Sequence, residues 1–183
     1  MTEQARAVRR ILVVDESDRS RVVADGPTPD VRVDPARPGF SSSRIWVTDR
    51  TPIGLKAAAR DPLRLPHTLE PPADGSVCRV VTFPPDASFR GKVGAAEVQA
   101  YFTAMGSPDA SRYSPRAPHP YMQKTRTLDF CLVLEGEITL VLDTAEVHLE
   151  AGDTVVQRGT NHAWSNRSDR PCVVAFSSHD AAL

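Results

Sequence analysis

The chain has 183 residues, of which 40% are hydrophobic and 25% charged, and its formal net charge is −1. These values fit a single globular domain with one hydrophobic core. Acidic and basic residues are interspersed, which argues against the charged surfaces that bind nucleic acids or anionic membranes. No apolar run approaches the roughly 18 residues that a membrane-spanning helix needs.

The N-terminal segment and the cysteines indicate the compartment. The segment MTEQARAVRR is polar and lacks the apolar stretch of a signal peptide. Cys78, Cys131 and Cys172 form no CxxC pair and each lies in an apolar run, which predicts buried thiols in a reducing compartment. We therefore expect a soluble cytoplasmic protein with no nucleic-acid or membrane partner.

The first two thirds of the chain predict short strands, one helix and proline-rich connections. Within 94–105, apolar residues recur every three or four positions, which is typical of a helix packed on one side. Gly106 and Pro108 then end the helix. The predicted strands here are 10–14, 20–24, 43–48 and 77–83, and the predicted connections are 26–39 and 107–120.

The last third of the chain predicts strand after strand. The predicted strands are 127–134, 138–143, 146–149, 154–156, 162–166 and 172–178. Turns are expected around Gly136, Gly152 and 157–159. Strands that recur about every ten residues with such turns predict an antiparallel barrel or jelly roll.

One predicted strand has two different faces, because side chains alternate across a strand. Phe130, Leu132 and Leu134 form a wholly apolar face, which must pack against another sheet or a partner subunit. The opposite face is polar at its start and apolar at its end, as expected for a barrel lining that opens into a pocket. That face carries Gln123, Thr125, Thr127, Asp129, Cys131 and Val133.

Two segments resemble the motifs of the cupin superfamily. In LEAGDTVVQRGTNHAWSN, residues 149–166, His162 stands three residues after Gly159 and four before Asn166. In the upstream segment Asp129 precedes Gly136 by seven residues, and Gly136 and His162 are 26 residues apart. In cupins, the histidine and the acid at these places are metal ligands inside a small antiparallel barrel.

The resemblance implies an all-β fold: a cupin double-stranded β-helix, or jelly-roll barrel, with an N-terminal β-rich arm and one short helix near its mouth. Within one domain, we expect the arm at 1–50, connecting strands, helix and loop at 51–121, and the barrel core at 122–183. In such cupins the arm commonly pairs with a second subunit, so a homodimer is expected.

The first motif departs from the cupin pattern, which normally has two histidines just before the acid. Gln123 and Thr125 stand at the matching positions. The small single-barrel cupins that this chain most resembles commonly keep the first histidine and already have Thr at the second position. No cofactor is therefore expected. A divalent Fe, Mn, Ni or Zn would have only His162, Asp129 and Gln123 as ligands, with His119 the first candidate for a replacement.

The residues predict a lyase or isomerase acting on a small carbonyl- or hydroxyl-bearing molecule by non-redox dehydration, isomerisation, cyclisation or decarboxylation. His162 would transfer the proton, with Asp129 orienting it or acting as the acid. Alternatives are a metal-dependent dioxygenase or other metallo-cupin, and a non-catalytic ligand-binding cupin. A structural His162 and a surface Asp129 are also possible. The residues expected to contact the substrate are Gln123, Thr125, Trp164 and Asn166.

Overall fold

The computed structural model describes residues 7–55 and 62–182 and consists mostly of antiparallel strands. Each predicted strand is present, and the single α-helix of the described residues, α1, lies where the apolar spacing predicts it. A short extra strand, β3, interrupts the predicted connection 26–39. In chain order the elements are β1 Arg9–Asp15, β2 Ser20–Pro27, β3 Val31–Val33, β4 Ser41–Thr48, β5 Ser76–Phe83, α1 Ala95–Ala104, β6 Thr127–Glu135, β7 Glu137–Leu142, β8 Glu146–Glu150, β9 Thr154–Arg158, β10 His162–Ser165 and β11 Cys172–Asp180.

Two sheets build the barrel. The larger has the order β3-β4-β5-β11-β6-β9, and the smaller has the order β10-β7-β8. β1 and β2 form a separate hairpin sheet. The all-β jelly-roll barrel with an N-terminal β-rich segment and one helix is thereby confirmed. None of the described residues forms a helix that could cross a bilayer.

The predicted arm is divided in the structure. β1 and β2 pair only with each other, whereas β3 and β4 extend the larger barrel sheet through β5. Residues 1–6 of the arm and 56–61 of the predicted connecting region lie outside the described residues.

The hydrophobic core fills one end of the barrel. Its side chains come from the inward positions of both sheets, and Trp164 packs edge-on against Phe176 with ring centroids 5.4 Å apart. A second cluster lies beneath α1, where Val98 and Phe102 are fully buried. The barrel core consists of Phe40, Val81, Phe83, Cys131, Val133, Ile138, Leu140, Leu149, Trp164, Cys172 and Val174.

The turn between β6 and β7 requires glycine. Gly136 has a φ of +77°, which L side chains rarely adopt. A Cβ there would lie 3.0 Å from the carbonyl oxygen of Pro171, so the backbone itself also leaves no room for a side chain. The predicted turn at 157–159 is partly wrong, because β9 continues through Gln157 and Arg158 before Gly159 turns the chain.

The alternation predicted along β6 is confirmed. Thr127, Asp129 and Cys131 are buried on the inner side. On the outer side Phe130 is 48% exposed and Leu132 39%.

The outer apolar face is larger than β6 alone. Leu134 is 43% exposed, and Val156 of β9, which pairs with Phe130, is 61% exposed. The His179 ring packs against Phe130, with ring centroids 5.6 Å apart, but the described chain leaves the rest of this face exposed. We propose that a second copy of the chain covers the exposed part, because a contiguous exposed apolar patch of this kind marks an interaction surface.

Light scattering across a concentration series should therefore give twice the monomer mass of 19.9 kDa. Leu132→Glu places a charge in the centre of the apolar face and should shift the protein to the monomer, since each such side chain contributes about 1.5–3 kcal/mol when fully buried. Leu55→Glu is the matched control, because Leu55 is 82% exposed outside this face. A wild-type monomer at every concentration would disprove the dimer.

Candidate functional site

A pocket opens at the polar end of the barrel interior. Its cavity volume is about 70 Å³, and a water needs roughly 10–15 Å³ by the same kind of measure. Tyr101 of α1 contributes to the wall, so the helix lies at the pocket as predicted. The polar lining consists of Ser42, Gln123, Thr125, Thr127, Asp129, Gln157, His162 and Ser178; the aromatic lining consists of Phe40, Phe83, Tyr101, Tyr121, Trp164 and Phe176; and the charged lining includes Arg37 and Arg79.

His162 begins β10 and is fixed from two sides. Its backbone exchanges two hydrogen bonds with Gln123, at 2.8 and 2.9 Å. Its Nδ1 lies 3.0 Å from the carbonyl oxygen of Thr160. Because a carbonyl can only accept, Nδ1 carries the proton, and Nε2 is left with a lone pair. The side-chain amide of Gln123 donates to that Nε2 across 3.2 Å.

The imidazole of His162 is neutral and buried. Burial lowers its pKa, which the Thr160 hydrogen bond and the negative charge of Asp129 raise only in part. A neutral imidazole with a defined tautomer can accept a proton at Nε2.

Asp129 points into the same pocket from β6. Its Oδ2 accepts a hydrogen bond from the Thr127 hydroxyl at 2.7 Å. Because the single hydroxyl proton of Thr127 is donated to Asp129, the Thr125 hydroxyl, 2.7 Å away, must donate to the hydroxyl oxygen of Thr127. Among the described residues, no hydrogen bond joins Asp129 to His162. The imidazole is therefore oriented by Thr160, and not by Asp129 as one of the sequence alternatives had it.

The residues expected to contact substrate have different places in the structure. Gln123, Thr125 and Trp164 line the pocket. Asn166 does not. Its amide nitrogen donates to the carbonyls of Phe83 and Arg170, at 2.9 and 2.7 Å.

The amide oxygen of Asn166 is equally occupied, since it accepts from the backbone and hydroxyl of Ser168 at 3.1 and 2.8 Å. All the hydrogen-bonding capacity of the amide is thus used by the loop that follows β10 and by the end of β5. The expectation that Asn166 binds substrate is corrected to a structural role.

Three pocket residues were missed by the sequence reasoning. Gln157 is buried and donates weakly to the Cys131 sulfur at 4.0 Å, while its amide oxygen accepts from Thr160 at 2.9 Å. Arg79 faces inward from β5, and the alternation of that strand would have indicated it, because it shares parity with Val81. Arg37 lies between β3 and β4, where no periodicity marks it.

His119 lies outside the pocket. Its Nδ1 accepts from the backbone N–H of Tyr121 at 3.1 Å, so its proton is on Nε2, which lies 3.4 Å from Asp86. Burial raises the pKa of Asp86, but hydrogen bonds with His119, Ser165 and Asn166 outweigh it and lower the pKa below its ordinary value. This cluster anchors the loop before α1 to the end of β10.

Comparison with known families agrees with this geometry. Residues 111–178 match the Cupin_2 family model, described as a cupin domain. The segment from residue 111 to residue 178 is therefore similar to a cupin domain. The matched segment begins before the predicted core boundary at 122 and includes β6 to β10 and most of β11.

The chain is similar to curated proteins from fungi. It is 56% identical to phomopsin biosynthesis cluster protein C' of Diaporthe leptostromiformis over 48 aligned residues. This alignment covers 26% of this chain and 25% of the relative. It is 29% identical over 126 residues to the cupin-domain-containing oxidoreductase virC of Hypocrea virens, which covers 67% of this chain and 48% of the relative. The chain thus matches half or less of these relatives' lengths.

Among solved structures, the chain is similar to the Cnp3 cupin domain of Schizosaccharomyces pombe. The TM-score is 0.47 and the identity 9%, over 94% of this chain and 87% of that one.

The side chains of this pocket do not fit the metal that cupin motifs imply. No group of three or more His, Cys, Asp and Glu side chains among the described residues could hold a metal ion. The guanidinium of Arg79 adds positive charge to the wall, which opposes a divalent cation.

Elemental analysis of protein purified without chelator should therefore show well under one Fe, Mn, Ni or Zn per chain. Gln123→His supplies a third strong donor beside His162 and Asp129 and should raise the metal content. Gln99→His is the control, because Gln99 lies on the exposed face of α1 and should leave the content unchanged. Stoichiometric metal in the unmutated protein would contradict the expectation.

His162 should also make stability depend on pH. The pKa of its imidazole is lower in the folded protein than in the unfolded chain. Below about pH 6.5, His162 of the unfolded chain therefore binds a proton that His162 of the folded protein does not. The melting temperature should fall as the pH drops from about 6.5 to the folded pKa, and His162→Gln should flatten that slope. His148→Gln, at an exposed position of β8, should leave the slope unchanged. Equal slopes in wild type and His162→Gln would refute this.

Proposed function

We propose that the protein is an enzyme that transfers protons on a small carbonyl- or hydroxyl-bearing molecule without a redox step. The observation that carries the proposal is the fixed tautomer of His162, whose side chain lines the pocket at the polar end of the barrel. Dehydration, isomerisation, cyclisation and decarboxylation all use such a group.

The first step assigned to His162 is removal of a proton from a carbon next to a carbonyl. The proton goes to Nε2, and the electron pair of the broken C–H bond passes to the carbonyl oxygen as an enolate. The Gln123 amide lies against Nε2 and can turn its oxygen toward the new N–H, because the two ends of an amide differ little in shape.

Asp129 is the second group of the proposal, because its negative charge favours the protonated imidazole of His162 that the first step forms. The proton then leaves Nε2 of His162. Returning it to another carbon completes an isomerisation, while giving it to a neighbouring hydroxyl releases water and completes a dehydration. The Thr127 hydroxyl, which donates to Asp129, holds that carboxylate in the pocket. The small cavity favours a substrate of few atoms.

The similarity to virC supports a second candidate. That relative is described as an oxidoreductase, and the alignment covers 67% of this chain. Redox chemistry would require an oxidant or metal that the donors around His162 do not hold well. The acid/base proposal is preferred because it needs only groups that are already in place.

Turnover can be sought by thermal-shift screening against hydroxy-ketones, phenolic acids and lactones, followed by mass analysis of each stabilising compound. For a converted substrate, His162→Ala should lower kcat by roughly 10²–10⁴ with the fold intact. Asp129→Asn should reduce kcat comparably while changing little volume. His148→Ala is the histidine control, since that side chain is exposed on β8, and its kcat should equal the wild-type value.

Other outcomes favour other functions. If a stabilising compound is recovered chemically unchanged, the protein is a binding module. If activity in His162→Ala falls only in proportion to the folded fraction, His162 is structural. A change of oxidation state in the product would favour the oxidoreductase.

A further inference from the structure

Arg79 is a buried cation, and most of its guanidinium N–H groups have no hydrogen-bond acceptor. It projects inward from β5 and is only 4% exposed. Among the described residues its guanidinium donates to one acceptor, the carbonyl of Leu69, and forms no ion pair. A guanidinium has five N–H donors. Burying such a group without a paired anion is strongly unfavourable.

The other fully buried arginine of this sheet shows how the fold treats a purely structural guanidinium. Arg44, directly across from Arg79 in the strand register, forms an ion pair with Asp30 at 2.5 Å. It also donates to three carbonyl oxygens, those of Leu63, Leu65 and Pro66, at 3.0, 2.7 and 2.6 Å. Arg44 therefore needs no ligand, and Arg79 differs from it in lining the pocket.

A second guanidinium borders the same pocket. Arg37 forms an ion pair with Asp34 at 2.7 Å and stacks on the ring of Tyr121, 3.7 Å from its centroid. Its Nη2 is nevertheless buried without a hydrogen-bond partner. Two unfulfilled guanidinium groups thus face one cavity.

We propose that Arg79 binds the carboxylate of an anionic substrate, so that the small molecule acted on in this pocket is an organic acid. The inference rests on the proposed function only in taking this pocket as the substrate site. A planar carboxylate matches two parallel N–H groups of a guanidinium. Arg37 is the second cation that the anion meets.

A carboxylate fits better than a phosphate. The cavity of about 70 Å³ is small. Asp129 lines it too, and its negative charge acts on Arg79 without forming an ion pair. A doubly charged phosphate would be repelled more strongly by Asp129 than a singly charged carboxylate.

The strand register places the anion site within reach of the proton-transfer groups. Arg79 pairs with Phe176 on β11, and Phe176 pairs with Cys131 on β6, two residues along from Asp129. With strands about 4.8 Å apart, β5 and β6 are separated by roughly 10 Å across β11. Arg79 on the larger sheet and His162 on the smaller sheet line the same pocket, so an acid held by Arg79 lies in the cavity that His162 also lines.

Isothermal titration with benzoate and its neutral analogue benzamide tests the site. Benzoate should bind wild-type protein at least about ten-fold more tightly than benzamide, a difference of about 1.4 kcal/mol. Arg79→Gln should abolish the preference for benzoate while benzamide binds as before, which also reports that the pocket is intact. Arg158→Gln is the matched control, because Arg158 is exposed at the end of β9.

Three results would overturn the inference: equal affinities of wild type for the two compounds, no measurable benzoate binding at millimolar concentration, or a benzoate preference that persists in Arg79→Gln. Displacement of benzoate by inorganic phosphate at equal concentration would overturn the carboxylate assignment. If Arg79→Gln does not fold, the preference of Arg79→Lys for benzoate over benzamide is measured instead. That preference should be smaller than in wild type, because an ammonium lacks the two parallel N–H groups of a guanidinium. Benzoate binding is measured without turnover, so a failure of the catalytic proposal leaves its result unchanged and is distinguished from a failure of this one.

Discussion

The position of β6 between β11 and β9 is the constraint on which the rest of the structure depends. Since both edges of β6 are paired, its register is fixed, and every second side chain must enter the barrel. Asp129 consequently lies between Ser178 and Gln157 inside the pocket. The same alternation sends Phe130 to the outer face, so the pocket and the apolar surface are two results of one register.

Polar groups inside the barrel are tolerated because nearly all of them are satisfied locally. The Thr125 hydroxyl donates a hydrogen bond to Thr127, and the Thr127 hydroxyl donates to Asp129. The Thr160 carbonyl accepts a hydrogen bond from the imidazole of His162. A buried polar group without a partner costs about 1–3 kcal/mol, and more when it is charged. Against this background the unfulfilled guanidinium of Arg79 is an exception, and exceptions of this kind concentrate where a ligand binds.

The sequence predicted the barrel well because alternation and turn residues are local signals. It placed α1, the strands and the two faces of β6, and it identified His162 and Asp129 as pocket residues. It could not assign Asn166 correctly, because whether an amide faces a pocket or a loop depends on carbonyls far along the chain, such as that of Phe83. Arg37 was missed for a related reason: its place at the pocket is fixed by tertiary stacking and not by strand period.

The absence of the cupin histidines and the presence of Arg79 both make the pocket less able to hold a cation. Where cupin motifs carry histidines, this chain carries the neutral Gln123 and Thr125, which leave the pocket with fewer donors for a cation. The guanidinium of Arg79 puts a fixed positive charge on the pocket wall that the larger sheet forms. A metal ion and a guanidinium can both stabilise an anionic oxygen, but a guanidinium does so without accepting electrons. A pocket built in this way is suited to holding an acid while His162 moves its proton, which is why its chemistry is expected to be acid/base in character.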